Sequence, residues 1–430
     1  MNMAKTIAGA SPSHVTQMLQ PTHHADSTSD LPASPWPPAI MDPMGLVVTA
    51  ERLWDGSSFI HRPIVTVEDG HIQSIASQES AALPTGAQVL DFPGALLAPA
   101  FFDVHFHGAA GHDVMEATPG AIGAISTFLA TRGTGSFLAT TVTAPLDATL
   151  KAVAGLAKLI AQPPVAGCAR PIGIHLEGPF LSHAKRGVQP AAHLLAPDIA
   201  TFDRLYDAAE GNVRLMTLAP ELPGATELAA HATSRGVRIS VGHSNATAAE
   251  THAAIDAGAV SATHTFNAMR ALDHREPGIL GTVLTTDSLF AEIICDGIHN
   301  APEMVKLWWH AKGPERSLLV TDAMSAAGMP DGEYQLGGFA VQVENGRATA
   351  NGVLAGSVLT LDRALANFIK FAGATVDQGV RLMTANPAAM TGFTQQAGSI
   401  AVARKADLVA VNAAGHLVGS VIGGKPVSVS

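Results

Sequence analysis

The middle of the chain alternates short apolar segments with segments of helical period, and this alternation constrains the fold more than any other feature. Segments 148–161, 225–236 and 246–258 carry apolar residues at the spacing of an amphipathic helix, and the last two end at glycines, where helices commonly stop. Between such segments lie eight strand candidates, at residues 98–106, 135–142, 171–177, 213–219, 237–242, 259–264, 289–296 and 317–322. Eight strands with intervening helices predict an α/β fold, a TIM-like (β/α)8 barrel, whose active sites form at the carboxyl ends of the strands.

Both ends of the chain have a different pattern, with short strands separated by turns such as Asp69-Gly70. We expect residues 45–97 and 395–430 to form one small β-sandwich domain beside a barrel of residues 98–394. Residues 1–44 are rich in Ser, Thr and Pro and have no helical or strand period, which predicts a disordered N-terminal extension.

Charge and cysteine content exclude several classes of protein. The net charge of -11, without a basic run, argues against binding nucleic acid or an anionic membrane surface. No apolar run of transmembrane length and no signal-peptide pattern is present in the sequence. With only Cys168 and Cys295, neither a disulfide framework nor a cysteine zinc cluster is expected, and the cytoplasm is the expected location.

Polar residues stand at the ends of five of the predicted strands. They are His105 and His107 after the first, Glu177 after the third, His243 after the fifth, His264 after the sixth and Asp322 after the eighth. An HxH pair alone is weak evidence among 19 histidines, but five strand ends that supply imidazoles and carboxylates to one rim favour a metal-activated water. Nitrogen and carboxylate ligands suit zinc, iron, manganese or nickel.

Longer motifs carry a resemblance to a known family. They are "FFDVHFHGAAGHD", "GIHLEGPFLSHAKRG", "LMTLAPE", "VGHSNAT", "THTFNAM", "REPG", "DGIH", "LVTDAM" and "LAGSVLTLD", in this order. The chain resembles the amidohydrolase superfamily and, within it, the family of N-acetylglucosamine-6-phosphate deacetylases. The resemblance implies hydrolysis of the acetamide of N-acetyl-D-glucosamine 6-phosphate to D-glucosamine 6-phosphate and acetate, in amino-sugar catabolism and cell-wall sugar recycling.

The same resemblance implies roles for the strand-end residues. Glu177, His243 and His264 would bind the principal metal, while His105 and His107 would complete a second position that Glu177 bridges. One or two divalent ions per subunit are therefore expected, with zinc first and iron, manganese or nickel as alternatives. Asp322 would be the catalytic residue, which takes the proton of the attacking water and gives it to the departing amine.

Substrate contacts also follow from the resemblance. They are expected at Gly178, Gln189, Asn267, Ala268, Arg275 and His299, with the last two at the phosphate. Gln189 departs from the family pattern, in which a histidine is common, and cannot carry the charge of an imidazolium. In the family the phosphate-binding histidine comes from a neighbouring subunit, which implies a homodimer here. Arg275 and His299 could instead make only a surface salt bridge and a loop hydrogen bond.

Three other interpretations remain at this point. A different metal-dependent amidohydrolase, such as a nucleobase deaminase or an N-acyl-amino-acid deacylase, would use the same ligands without a phosphate-binding pair. A noncatalytic barrel would be expected to lose the ligands or Asp322, which this sequence keeps. The epimeric substrate N-acetylgalactosamine 6-phosphate differs only in hydroxyl contacts that no motif specifies.

Overall fold

The computed structural model describes residues 45–429, so the extension predicted for residues 1–44 lies outside the described residues. In chain order the strands are β1 (Leu46–Trp54), β2 (Phe59–His61), β3 (Pro63–Glu68), β4 (His71–Ser77), β5 (Gln88–Pro99), β6 (Phe101–Phe106), β7 (Gly108–Ala109), β8 (His112–Asp113), β9 (Thr134–Thr141), β10 (Arg170–Glu177), β11 (Val213–Leu218), β12 (Arg238–Val241), β13 (Ala259–Ala262), β14 (Phe290–Ile294), β15 (Ser317–Val320), β16 (Gly332–Leu336), β17 (Phe339–Glu344), β18 (Arg347–Ala350), β19 (Val353–Leu354), β20 (Leu408–Val411), β21 (Leu417–Ile422) and β22 (Lys425–Val427). The helices are α1 (Pro119–Thr131), α2 (Leu146–Ile160), α3 (Ile199–Ala208), α4 (Ala225–Ser234), α5 (Ala248–Asp256), α6 (Gly278–Thr285), α7 (Pro302–Arg316), α8 (Leu361–Ala372), α9 (Val376–Arg381) and α10 (Ala385–Thr391).

The barrel is an eight-stranded sheet in which β6 and β9 to β15 follow one another in chain order. Every neighbouring pair in it is parallel, as strands joined by crossover helices must be. A parallel bridge between Phe106 of the first strand and Ala323, which follows the last strand, brings the two edges together, so the barrel is nearly closed. The predicted barrel is confirmed, and each of the eight strand candidates overlaps one of its strands.

Strands from both chain ends form a second sheet, which we call the chain-end sheet. Its order is β22-β21-β20-β5-β1-β3-β4, with β2 paired to β1. The link between the two ends is the antiparallel pair of β5 with β20, where Pro99 lies opposite Leu408. An apolar cluster that includes Val48, Val65 and Leu97 packs within it. The fold class is thus a barrel with a separate chain-end domain, whereas the boundaries 45–97, 98–394 and 395–430 stay a prediction.

The sequence patterns did not predict a third sheet, which follows the last barrel strand. Strands β16 to β19 form a four-stranded antiparallel meander that we call the rim sheet. It is attached to the barrel because the Gly337 amide donates to the Asp113 carboxylate at 2.7 Å and the Ser325 hydroxyl donates to the Gln335 carbonyl at 2.6 Å. Alternating burial along β17 shows that one face packs on the molecule.

Within residues 45–429, no helix combines the length and the apolar character needed to cross a membrane.

Candidate active site

Six side chains converge at the carboxyl ends of the barrel strands. They are His105 at the end of β6 and His107 after it, Glu177 at the end of β10, His243 after β12, His264 after β13 and Asp322 after β15. Glu177 Oε1 lies 3.1 Å from Nε2 of both His243 and His264. Asp322 Oδ1 lies 3.1 Å from Nε2 of His107. The sequence therefore identified side chains that meet in space, since parallel strands deliver their ends to one rim.

The donor atoms form two adjoining clusters of three that could each hold a metal ion. One contains Glu177, His243 and His264, and the other contains His105, His107 and Asp322, with the ligand atoms of each within 4.8 Å of one another. Glu177 joins the clusters, because its Oε1 lies 3.3 Å from Nε2 of His105 and its Oε2 lies 3.4 Å from Nε2 of His107. This geometry fits the expected bridging carboxylate, although the assignment of ligands stays a prediction.

Hydrogen bonds at the outer ring nitrogens direct the imidazoles inward. Nδ1 of His107 lies 2.9 Å from the Thr140 carbonyl oxygen, and Nδ1 of His243 lies 3.0 Å from the Lys185 carbonyl oxygen. A carbonyl oxygen only accepts, so each Nδ1 carries a proton, and the neutral form of each ring therefore presents the lone pair of Nε2 to the cluster. The Nε2 atoms of His243 and His264 lie 3.0 Å apart, an arrangement that a cation between them would stabilise.

Charge in the cluster also favours a bound cation. Burial alone would raise the pKa of Asp322, but the charges of His105 and His107 and a hydrogen bond from His107 lower it to about 2. Burial opposes a proton on His107, yet its hydrogen bonds to Asp322 and Glu177 raise its pKa to about 9. The carboxylates are thus ionised and balanced by protons on His105 and His107, and a bound cation would supply this positive charge in their place. His175 differs, because burial and the neighbouring charge of His105 hold its pKa well below the usual range. His175 Nε2 lies 2.8 Å from the Thr217 hydroxyl, so this fully buried ring is packed and hydrogen-bonded.

Backbone strain is concentrated at the same positions. His243, His264 and Asp322 have φ values of +44°, +27° and +49°, in the left-handed region that non-glycine residues rarely adopt. The Asp322 amide donates to the His105 carbonyl at 2.9 Å, and the Ser357 amide donates to the Asp322 carbonyl at 2.7 Å. These bonds hold the turn that aims the Asp322 side chain at the cluster, and such locally strained turns are common at active sites.

A cavity of about 380 Å³ opens in front of the cluster. Its lining includes four of the predicted substrate contacts, namely Gln189, Asn267, Ala268 and His299. Leu336, Phe339, Val353 and Leu354 of the rim sheet supply apolar wall on another side. The volume is within the range of about 300–1,000 Å³ that is usual for small-molecule sites. The rim sheet therefore shapes a pocket of sugar-phosphate size in front of the reactive groups.

Gln189 is tied to the ligand cluster. Its side-chain amide donates to Glu177 Oε2 at 2.7 Å, while its oxygen accepts from the Thr143 backbone amide at 2.8 Å. These two bonds fix the orientation of the amide, because its nitrogen must face the carboxylate. Gln189 consequently orients Glu177 as well as lining the cavity, and its contact with substrate stays a prediction.

Two predicted substrate residues do not line the cavity. Gly178 follows Glu177 with a φ of +94°, and a Cβ at this position would collide with the Thr143 hydroxyl, so the glycine permits the turn that places Glu177. Arg275 is exposed, and its backbone amide donates to the Asp273 carboxylate at 2.9 Å. Arg275 thus lies outside the cavity lining of its own chain, and its role at the phosphate stays a prediction.

His299 lines the cavity of its own chain. Its expected delivery to a neighbouring subunit's site stays a prediction. Its position is set locally, because the turn after β14 brings it over the barrel rim. Asp296 holds this turn by accepting from the His299 backbone amide at 2.8 Å and by lying 2.7 Å from its Nδ1.

Sequence reasoning missed Glu292 of β14, which is fully buried behind the cluster. Its Oε2 lies 3.2 Å from Nδ1 of His105 and accepts from the His264 backbone amide at 3.2 Å. The only signal was a single carboxylate in the otherwise apolar segment "LFAEIIC". Buried carboxylates are normally paired, so this residue could have been marked as a partner of some cation or ring nitrogen.

We expect Glu292→Gln to weaken metal binding at the His105 and His107 position by about 10- to 100-fold, because it removes the negative charge that supports the His105 ring. Metal content after dialysis against graded chelator concentrations measures this effect. Glu79→Gln, at an exposed position of the chain-end domain, is the control. Unchanged metal retention in folded Glu292→Gln would contradict the orienting role.

Comparisons with known proteins give a consistent result. The sequence model of the amidohydrolase family matches residues 96–427. The N-acetylgalactosamine-6-phosphate deacetylase of Escherichia coli O157:H7 is 37% identical over 374 residues, which cover 86% of this chain and 96% of that protein. The N-acetylglucosamine-6-phosphate deacetylase of Bacillus subtilis (strain 168) is 35% identical over 351 residues, which cover 81% of this chain and 88% of the relative.

Solved structures agree with the sequence relatives. A mutant N-acetyl-D-glucosamine-6-phosphate deacetylase from Mycobacterium smegmatis in complex with N-acetyl-D-glucosamine-6-phosphate has a TM-score of 0.83 and 32% identity, and the match covers 90% of this chain and 100% of that chain. The N-acetylglucosamine-6-phosphate deacetylase from Thermotoga maritima has a TM-score of 0.77 and 30% identity. This match covers 90% of this chain and 99% of that chain. The barrel and the chain-end domain are therefore shared with these proteins.

Proposed function

We propose that this chain, which belongs to the amidohydrolase family, hydrolyses the acetamide of N-acetyl-D-glucosamine 6-phosphate to D-glucosamine 6-phosphate and acetate. The observation that carries the proposal is the convergence of the two donor clusters and Asp322 on one sugar-sized cavity. Support also comes from relatives that are named as deacetylases of this sugar phosphate and that match most of the chain.

The chain is metal-dependent as a member of its family, and the residues fit a divalent ion. Glu177, His243 and His264 would hold the principal ion, and His105 with His107 would hold a second. A divalent ion held there would lower the pKa of the attacking water and polarise the acetamide carbonyl. One or two ions per subunit are proposed, with zinc first among zinc, iron, manganese and nickel, because the donor set contains only nitrogen and carboxylate oxygen.

Asp322 is the proposed proton carrier. Its carboxylate is ionised, reaches the cavity, and stands beside His107, so it can accept a proton from the attacking water. The departing nitrogen needs a proton before the carbon–nitrogen bond breaks, and the same carboxyl group can return one there. His107 and His105 keep the carboxylate in place through contacts of 3.1 and 3.6 Å.

The substrate's phosphate needs a cationic or polar end of the cavity. His299 and Asn267 are already in the cavity wall and are proposed to contact it. Arg275 is exposed and does not line this cavity, so its proposed role requires a second copy of the chain to present it. On this ground we propose a homodimer in which Arg275 of each copy serves the other's cavity.

Arg275→Ala is expected to raise KM for the phosphorylated sugar by about 10- to 100-fold, the loss typical of about 1.5–3 kcal/mol for a charged hydrogen bond. The poor reaction with unphosphorylated N-acetylglucosamine should change little, because that sugar never made the contact. Steady-state kinetics on both sugars measure the difference, with Arg363→Ala at an exposed position of α8 as the control. An equal loss on both sugars would contradict the phosphate assignment.

N-Acetylgalactosamine 6-phosphate is the second candidate substrate, favoured by the 37% identity to the Escherichia coli deacetylase named for that sugar. A panel of kcat/KM values for both phosphorylated epimers and both free sugars tests the proposal. The highest value is expected for N-acetylglucosamine 6-phosphate. A higher value for N-acetylgalactosamine 6-phosphate would make that sugar the proposed substrate instead. Absence of activity on both phosphorylated sugars would reject the proposed function.

The proposed site of the reaction is the cytoplasm. A phosphate ester carries charge that opposes passage through a lipid bilayer, so its hydrolase is expected on the side where the ester is made. Cys168 and Cys295 are both free thiols, in agreement with a reducing compartment.

A further inference from the structure

A second cavity of about 770 Å³, larger than the one in front of the donor clusters, lies at the other end of the barrel. It is a partly open cleft between the amino ends of β9, β10 and β11 and the segment 403–407 that precedes β20. We call it the basal cleft. Nothing in the proposed reaction uses it, because the reactive side chains stand at the carboxyl ends of the same strands.

Positive charge dominates the lining of the basal cleft. Four basic side chains line it, namely Arg170, Arg214, Arg404 and Lys405, against a single carboxylate, Asp407. That carboxylate is already used, because it accepts from Arg170 at 2.9 Å and from the Gly423 backbone amide at 2.7 Å. Within residues 45–429 the other three cations form no ion pair within 4.0 Å. A protein of net charge -11 thus gathers unpaired positive charge in one cleft.

The contacts of the two unpaired arginines leave their charge uncompensated. Arg404 donates only to neutral acceptors, which are the Thr394 carbonyl at 2.8 Å, the Gln395 side chain at 3.2 Å and the Ser399 hydroxyl. The guanidinium of Arg214 lies over the Phe393 ring at 5.8 Å, and its Nε is buried without a hydrogen-bond partner among the described residues. Both groups therefore retain capacity for an anion.

Lys405 adds a third positive charge, which burial and a neighbouring cation disfavour. Burial and then the nearby charge of Arg170 lower the pKa of Lys405, and Asp407 offsets this only in part. A group in this state gains from an additional anion, because the anion compensates both the lost hydration and the repulsion. The three unpaired cations lie on both sides of the cleft, with Arg214 on the barrel and the pair Arg404 and Lys405 beside the chain-end sheet.

We propose that the basal cleft binds a small organic phosphate. Three unpaired cations are enough to neutralise the charge of about −2 of a phosphate monoester, and arginine's planar fork matches its oxygens. The volume is within the range of about 300–1,000 Å³ for small-molecule sites. A phosphate alone would leave most of it empty. The remaining wall includes Ile122, Ile160, Pro163 and Ile172, which suit an uncharged organic part.

Binding there would join the two domains of the chain. The anion would be held by Arg214 of the barrel together with Lys405 of the segment that leads into β20. A ligand that binds only the folded form raises the unfolding temperature as its concentration rises. We therefore expect organic phosphates to stabilise the protein whether or not the catalytic cavity is occupied.

The test is calorimetric titration of the full chain with uridine 5′-monophosphate, with glucose 6-phosphate and with inorganic phosphate, accompanied by unfolding temperatures. The double variant R214Q/K405Q removes two unpaired cations from the cleft. The matched control R363Q/K370Q makes the same two changes at exposed positions of α8. Uridine 5′-monophosphate represents nucleoside phosphates and glucose 6-phosphate represents sugar phosphates, so the two arms distinguish the source of the ligand.

We expect one of the organic phosphates to bind the unchanged protein and the control equally, to raise the unfolding temperature of both, and to bind R214Q/K405Q at least tenfold more weakly. If that double variant does not fold, the single K405Q variant is expected to weaken binding in the same direction. Binding that is unchanged in R214Q/K405Q belongs to the catalytic cavity and overturns the proposal. Binding of inorganic phosphate alone, or of no probe, overturns it as well.

Discussion

Asp322→Asn is expected to lower kcat by at least about 10²-fold and by up to about 10⁴-fold, the range associated with general acid–base catalysis. The amide of asparagine keeps the size of the side chain but cannot accept the proton of the attacking water or return one to the departing nitrogen. Asp322 is placed for both tasks, because it lines the cavity and its Oδ1 lies 3.1 Å from Nε2 of His107. Steady-state kinetics on N-acetylglucosamine 6-phosphate measure the loss.

Metal content must be measured on the same samples, because Asp322 belongs to the donor cluster of His105 and His107. The ion at Glu177, His243 and His264 should remain, since none of these three residues is changed. Asp147→Asn, in the exposed first turn of α2, controls for the loss of a negative charge. Near-normal turnover of Asp322→Asn with its metal bound would remove Asp322 from the mechanism.

Removal of the metal should abolish deacetylation altogether, and addition of zinc or another suitable divalent ion should restore it. The donor clusters are buried and supply ionised carboxylates and inward-facing imidazoles, and the ion they would hold is what lowers the pKa of the attacking water. A stopped assay after exhaustive chelation, with metal content verified, measures the residual rate. Full activity in a verified metal-free sample would end the metal-dependent interpretation.

Single replacements should separate the two metal positions. Changes at His243 or His264 should reduce activity more than the same change at His105 or His107 if one ion carries most of the chemistry. Glu177 is shared, because its two oxygens face both clusters, so Glu177→Gln should lower the metal content at both positions. Equal losses at all four histidines would indicate that both ions are required.

The sequence by itself determined the barrel and the identity of the residues at its rim. Eight apolar segments alternating with helical segments leave few topologies, because parallel strands need crossover helices between them. Polar residues that end such strands must then meet at one rim, which is why the sequence alone is enough to group His105, Glu177 and Asp322. The sequence also predicted that the strands of the two chain ends pair with one another, since each end had strands without a partner.

Only the tertiary structure decided the contacts between residues distant in the chain. Glu292 supports His105 although 187 residues separate them, and this depends on the register of a closed sheet. Gln189 faces Glu177 because a long loop folds back over the rim, and His299 lines the cavity of its own chain because of one turn. The basal cleft arises where two domains meet. Local periodicity fixes which way a side chain points along its own strand, whereas these contacts depend on how separate strands, loops and domains pack, which no local pattern encodes.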